Sequence, residues 1–504
     1  MNVHNFSVNV ATSDRTIVSI KDYPVYDNHI TFLFGESGIG KSLISKALYG
    51  LLDTSELVVT INDTPYADHL KSKWLTESRA NSFFVFQEPS SHLNPLMKIS
   101  EQLNEGSLDC GNERDILEYL WQYSNDDALD TILDVYPKPY RPSGGEKQRI
   151  LLAMAFKKIQ ALIDQNNRDL STYFVFDEPT GSLDNRYRNL FLRLLLDRYC
   201  KRQFTAVIIT HDYSIISEIY NQYRSLVPYI HFKELSRADT TEVRVDDFSP
   251  DDYLSWLNSS RWGTVKNSLQ NKPVLEFGSD FSIFSRNLRI FQDRELTQPS
   301  PLTIDKGSVV YLKAPSGVGK TTIAKIILGI YKADSFSMKL CGKNYSAKTH
   351  QSAWTKHVWG KQAGMVFQHA DESLDLQATV KETFDGLSTR MQSDLDTLLG
   401  QLFTPKTIEV IRHKKTALLS GGQKQRLNLL RTLALNTDLV IFDEPLNGLD
   451  FVNVKKVLEL LNQLRMNGTA ILMISHNEEI FEALIDEENI LYLAEIPQSG
   501  CNNN

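Results

Sequence analysis

One octapeptide occurs twice in this chain, and the other recognisable segments are arranged around its two copies. Gly35-Glu36-Ser37-Gly38-Ile39-Gly40-Lys41-Ser42 returns 279 residues later as Ala314-Pro315-Ser316-Gly317-Val318-Gly319-Lys320-Thr321. Four more pairs follow in the same order. They are Phe86-Gln87 with Phe367-Gln368, Ser143-Gly144-Gly145 with Ser420-Gly421-Gly422, Asp177-Glu178-Pro179 with Asp443-Glu444-Pro445, and Thr210-His211 with Ser475-His476. A chain that repeats itself at this period builds one fold twice. The spacing shrinks by 11 between the third and fourth pairs, which places extra residues of the first copy near 158–171. The expected organisation is a first half at 1–235, a connector at 236–271, a second half at 272–496 and a tail at 497–504. In the connector the stretch 239–252 carries six acids against Arg244 alone, and it reads as a partly ordered spacer. Ser249-Pro250-Asp251-Asp252 then supplies an N-cap and a proline at N1 for a short helix through Trp256.

Composition sets the outer limits. The 504 residues, 41% hydrophobic and 23% charged, are ordinary globular material. A net charge of -8 disfavours nucleic acid as the main partner, because neutralising phosphates takes basic surface. No apolar run reaches 18 residues, and the first residues lack a secretory signal. The four cysteines have no metal-ligand spacing. These features read as a cytoplasmic chain in a reducing compartment, which needs a separate partner for any work across a membrane.

The chemistry begins at the octapeptides. Each follows a β-rich run (Ile30–Phe34; Val309–Lys313) and precedes a helical one, the context a phosphate-binding loop requires. Gly35, Gly38 and Gly40, with Gly317 and Gly319 in the second copy, let backbone N–H groups face phosphates at a helix N-terminus. Lys41 and Lys320 reach the β- and γ-phosphates, and the hydroxyls of Ser42 and Thr321 hold Mg²⁺. Ala314 replaces the first glycine in the second copy, which requires a negative φ there. Farther on, Tyr173–Phe176 and Leu439–Phe442 are buried-strand runs that end in paired acids. Asp177 and Asp443 suit an Mg²⁺ shell, whereas Glu178 and Glu444 suit activation of an attacking water. His211 and His476 follow the strands Ala206–Ile209 and Ala470–Ile474.

Ser143-Gly144-Gly145-Glu146-Lys147-Gln148-Arg149 and Leu419-Ser420-Gly421-Gly422-Gln423-Lys424-Gln425-Arg426 resemble the signature motifs of ABC-type ATPases. With the motifs above, the resemblance covers both halves. It implies two tandem α/β P-loop NTPase domains, each with a mainly parallel core sheet, an antiparallel β subdomain and a helical subdomain. It implies ATP hydrolysis with Mg²⁺ at two composite sites, in which the signature of one cassette meets the phosphate loop of the other. Lys41, Ser42, Gln87, Asp177, Glu178 and His211 then work with Ser420, Gly421, Gly422 and Gln423. Lys320, Thr321, Gln368, Asp443, Glu444 and His476 work with Ser143, Gly144 and Gly145. The resemblance gives Gln87 and Gln368 contact with Mg²⁺ and the attacking water, and His211 and His476 contact with the γ-phosphate. Ser182-Leu183-Asp184 and Gly448-Leu449-Asp450 resemble the D-loop. The second site, with Ala314 and with Pro142 before its signature, is expected to be the slower one. The family stacks an aromatic ring on adenine. Phe284 is the candidate in the second cassette, while Val10 and Phe6 leave the first undecided.

Phe84-Val85-Phe86-Gln87-Glu88-Pro89-Ser90-Ser91-His92-Leu93-Asn94-Pro95 resembles the peptide/nickel importer subfamily. That implies import of peptides, nickel or metal–chelator complexes. Two integral-membrane permeases and an extracytoplasmic solute-binding protein would be partners, at the cytoplasmic face of the inner membrane and without nucleic acid. An energy-coupling ATPase for vitamins or metals and a ribosome-associated twin-cassette ATPase stay open as alternatives.

Overall fold

Two fully buried and largely apolar strands, Ile30–Gly35 and Val309–Lys313, sit inside their sheets with neighbours on both edges. The computed structural model describes residues 2–105, 113–122, 130, 132–135, 144–165, 170–181, 185–238, 241–263, 273–315, 317–387 and 394–496. The chain divides into two compact units, Met1–Tyr253 and Leu254–Asn504.

Unit 1 contains β1 (Val3–Ala11), β2 (Thr16–Tyr26), β3 (Ile30–Gly35), β4 (Val58–Ile61), β5 (Thr64–Pro65), β6 (Phe84–Val85), β7 (Phe174–Asp177), β8 (Ala206–Ile209), β9 (Ile230–Arg237) and β10 (Glu242–Asp247). They form one sheet in the order 5-4-1-2-10-9-3-8-7-6. Strands 9-3-8-7-6 are parallel to one another, and the β1–β2 and β1–β4 pairs are antiparallel.

Unit 2 contains β11 (Pro273–Phe277), β12 (Asp280–Ile283), β13 (Arg286–Phe291), β14 (Leu302–Asp305), β15 (Val309–Lys313), β16 (Ser337–Leu340), β17 (Lys343–Ser346), β18 (Ala363–Val366), β19 (Leu439–Asp443), β20 (Ala470–Ile474) and β21 (Ile490–Ile496). Its larger sheet runs 12-13-21-15-20-19-18, and a separate antiparallel sheet runs 14-11-16-17. The parallel part, 21-15-20-19-18, has the same order as in unit 1. In both units the octapeptide leaves the central strand at its C-terminal end, where α/β sheets bind ligands.

The acidic stretch expected to be a spacer is instead part of unit 1. β10 pairs antiparallel with β9 from Val243↔Arg237 to Asp247↔Lys233. Val243 is buried, and Lys233 Nζ donates to Asp247 Oδ1 at 2.6 Å. Glu242, Asp246 and Asp247 thus belong to a strand paired on both edges, and the unit extends past residue 235 to Tyr253. The proline-led helix is present as Pro250–Ser259, its Asp252 amide donating to Ser249 Oγ at 3.2 Å.

The extra residues of the first half lengthen a helix. The signature helix is Gly144–Asp164 in unit 1, 21 residues, and Gly421–Leu433 in unit 2, 13 residues. Among the described residues no helix is long and apolar enough to cross a membrane.

Candidate active sites

In unit 1 the loop after β3 runs into the helix Lys41–Tyr49. Gly35 has φ 136°, and a Cβ there would come 2.8 Å from the Leu235 carbonyl oxygen. Ala314, its counterpart, is absent from the residues with positive φ. The second copy therefore accommodates a methyl group by taking a different backbone conformation at this point. Lys41 is buried, and its Nζ donates to the carbonyls of Gly35 (2.5 Å) and Glu36 (3.1 Å). Lys320 likewise folds back onto the Ala314 carbonyl. Burial pushes the Lys41 pKa down, against the pull of Glu178 and Asp177. An arginine braces the tip of each loop. Arg237 donates to the Gly38 carbonyl at 3.3 Å and Arg286 to the Gly317 carbonyl at 3.2 Å. Gly40 and Gly319 cap the two helices.

The strand-end acids meet the loop hydroxyls in both units. Ser42 Oγ donates to Asp177 Oδ1 at 2.9 Å, and Thr321 Oγ1 to Asp443 Oδ2 at 2.7 Å. Burial raises the Asp177 pKa to about 6 and also raises that of Asp443. The next residue, Glu178 (φ 46°) or Glu444 (φ 54°), turns into left-handed backbone. Each amide is held by the neighbouring strand, Glu178 N to Ile209 O and Glu444 N to Ile474 O. Strained non-glycine residues of this kind concentrate at functional sites.

The surroundings of the two glutamates differ. Glu178 Oε2 accepts from Gln87 Nε2 at 2.9 Å, and Oε1 lies 3.5 Å from His211 Nδ1. Burial acts to raise the Glu178 pKa, but His211, Lys41 and Gln87 outweigh it and hold the carboxyl low. Burial acts to lower the His211 pKa, and Glu178 reverses that. Glu444 is 2% exposed. Its Oε2 accepts from Ser475 Oγ at 2.9 Å. Its Oε1 accepts from no side chain and lies 3.7 Å from His476 Nε2. Burial raises this carboxyl to about 7, against the His476 amide and the Ser475 hydroxyl. Among the described residues no hydrogen bond joins Gln368 to Glu444, unlike Gln87 with Glu178.

Ser420 and Gln423 form a capping box at the second signature helix. Gln423 N donates to Ser420 Oγ at 3.3 Å, and Ser420 N to Gln423 Oε1 at 3.1 Å. Gly421 and Gly422 open that helix, as Gly144 and Gly145 open the first. A Cβ added at Gly144 would meet nothing within 4 Å among the described residues. Ser143, Pro142 and the segment Ser182-Leu183-Asp184 lie outside the described residues. Asp450 caps the helix Phe451–Met466, its Oδ1 accepting from the Asn453 amide at 2.8 Å. Phe284 is 69% exposed at the β12–β13 turn, its ring 5.9 Å from that of Tyr331. Val10 and Phe6 are buried in the core of unit 1.

Two features escaped the sequence reading. One is the Ser475 hydroxyl on Glu444, which nothing local signals. The other is a lysine in each signature helix that reaches the segment after the paired glutamine. Lys147 Nζ donates to Ser90 Oγ at 3.2 Å and Lys424 Nζ to Asp371 Oδ1 at 2.9 Å. The shared register of the two copies contains that signal.

Fold and sites together define a twin phosphate-loop NTPase. The ABC transporter family model matches residues 21–163 and 297–447, more than half of the chain, and the chain belongs to that family. Its two cassettes are ATP-binding, ATP-hydrolysing domains. An uncharacterised ABC transporter ATP-binding protein, YejF of Escherichia coli, is 26% identical, covering 96% of this chain and 92% of that protein. The peptidoglycan transport ATP-binding protein YejF of Agrobacterium fabrum is 24% identical over 99% and 92%. The glutathione import ATP-binding protein GsiA of Pectobacterium atrosepticum is 24% identical over 93% and 80%. Among solved structures, the RNase-L inhibitor shares the fold with a TM-score of 0.63 at 17% identity, covering 96% of this chain and 89% of that one.

Proposed function

We propose that the chain is the ATP-hydrolysing subunit of an importer for peptides, nickel or metal–chelator complexes. It would act at the cytoplasmic face of the inner membrane with two separate permeases and an extracytoplasmic solute-binding protein. The observation that carries the hydrolytic part is the triad repeated in both units: a loop hydroxyl bonded to a strand-end aspartate with a strained glutamate beside it. The stretch Phe84–Pro95 supports the importer part. So do the relatives whose names speak of peptidoglycan transport and glutathione import, which align with this chain over most of its length.

Ser42 with Asp177, and Thr321 with Asp443, offer paired hard oxygens, the donor chemistry of Mg²⁺. When bound there the ion supplies neutralising charge across the phosphates. On nucleotide binding Lys41 exchanges the carbonyls of Gly35 and Glu36 for phosphate oxygens, and Lys320 exchanges that of Ala314. Glu178 and Glu444 orient the attacking water and accept its proton, while His211 and His476 donate to the γ-phosphate. Gln87 and Gln368 carry the state of the site toward the permeases. In this reading each signature closes over the phosphate loop of the other cassette when ATP is bound, and the first site turns over faster. ATP shifts the transporter because it binds the closed state far better than the open one.

The test is isolation of the tagged chain from detergent-solubilised membranes, followed by identification of what comes with it. Two polytopic chains co-purifying would support the importer. A solved archaeal ribosome recycling factor shares the fold over 94% of this chain, and a ribosome-associated ATPase is the second reading. Recovery with ribosomes and without permeases would establish that one instead.

A further inference from the structure

We propose that Ser475 is the positioning residue for Glu444, and that it does in the second cassette what Gln87 does in the first. This rests on the reading of Glu444 as the residue that activates water.

The two cassettes have the same Asp-Glu-Pro segment, the same left-handed turn at the glutamate and the same strand-held amide. They differ in the donor that captures the carboxylate. In the first cassette Oε2 of Glu178 belongs to Gln87, in the segment that follows β6. Thr210, just before His211, uses its hydroxyl to accept from the Asp212 amide at 3.1 Å and leaves Glu178 alone. In the second cassette Ser475, just before His476, accepts from the Asn477 amide at 3.1 Å in the same kind of turn. That contact leaves the hydroxyl proton to be donated, and it goes to Glu444 Oε2. The other carboxylate oxygen is buried, accepts from no side chain and is the one nearest His476, whose amide also acts on the carboxyl. A carboxylate whose Oε2 is engaged by a serine hydroxyl is left with Oε1 as the acceptor it can present to water. Ser475 determines which one.

The consequence is a difference in control. The first glutamate is held by a side chain on a loop between elements, so any movement of that loop disturbs it. The second is held from the end of β20, a central strand whose five residues are all buried. The second site is therefore set by the rigid sheet and responds less to displacement of its glutamine segment.

The experiment uses the full-length chain and an α-labelled azido-ATP. After photolysis and proteolysis the nucleotide on each cassette is identified as triphosphate or diphosphate over time. Wild type and Glu444→Gln define the range for the second cassette. Ser475→Ala should slow conversion there about tenfold, the size expected for losing a hydrogen bond to a charged group. The ATP concentration for half-maximal labelling should stay unchanged, and conversion in the first cassette should match wild type. Ser475→Thr retains the hydroxyl and should restore conversion to within twofold. Ser475→Cys, close to serine in size but a weak donor, guards against a folding defect and should behave like alanine. Conversion by Ser475→Cys at the wild-type rate would overturn the proposal. So would equal losses of labelling and conversion in Ser475→Ala, which indicate a structural role. If Glu444→Gln itself converts normally, the reading of Glu444 fails rather than that of Ser475.

Discussion

Lys41 and Lys320 show how a charged group is stored before it is used. Each is buried, and each spends its ammonium on carbonyls of its own loop. Those bonds satisfy the charge without a nucleotide, and they can be exchanged for phosphate oxygens at little cost in desolvation. Lys41→Ala should lower ATP turnover of the full chain on the order of 10²-fold, the usual loss for one charge-stabilising donor; steady-state phosphate release measures it. Gly35 carries the opposite kind of constraint. Its φ of 136° and the Leu235 carbonyl 2.8 Å from a would-be Cβ exclude any side chain. Gly35→Ala should destabilise unit 1 by about 1–3 kcal/mol, read as a shift of its denaturation midpoint. Ala314→Gly should be nearly neutral. The octapeptides already set the two positions apart, since alanine at 314 requires a negative φ where Gly35 adopts a positive one.

At the scale of elements, the longer signature helix of unit 1 is anchored by an ion pair. Lys157, fully buried on that helix, donates to Glu113 Oε2 at 2.9 Å and Asn104 Oδ1 at 2.7 Å. Removing the cation empties a buried position and leaves the partly exposed Glu113 carboxylate without its partner, so Lys157→Ala should cost unit 1 about 1–2 kcal/mol in chemical denaturation. A second element contact makes stability depend on acid. His231 on β9 stacks on Tyr26 at 3.7 Å, and its Nε2 lies 3.0 Å from His29 Nδ1 at the start of β3. Burial first, then His29 and Lys233, lower the His231 pKa to about 4, with Asp247 opposing. Burial lowers that of His29 as well. Between that value and the ordinary 6.5 the unfolded chain binds more protons than the folded one. This contribution to stability is complete above pH 6.5 and is lost as pH falls toward 4. The melting temperature of the wild type should drop across that window, and His231→Phe should flatten the slope.

For the whole molecule, the two hydrolytic centres are built alike and tuned apart. Glu178→Gln and Glu444→Gln should therefore reduce ATPase activity unequally, with the larger loss from Glu178→Gln, in steady-state assays of each single variant. Much of this architecture is legible in the sequence. The phosphate loops, strand-end acids, signature glycines and the strands before the histidines are local signals, because a short segment of chain suffices to specify both a backbone turn and the chemistry on it. Two copies in one order then impose two α/β cassettes. Other features depended on packing. The acidic stretch 242–247 became a strand because β9 offered an unpaired edge and Lys233 a counter-charge. Glu178 and Glu444 stand in the same tripeptide, but one is captured by Gln87, 91 residues away, and the other by Ser475, 31 residues away. Local sequence decides what a side chain is able to donate or accept. Which partner it meets is decided by strands and loops distant in the chain, and only the folded sheet brings those together.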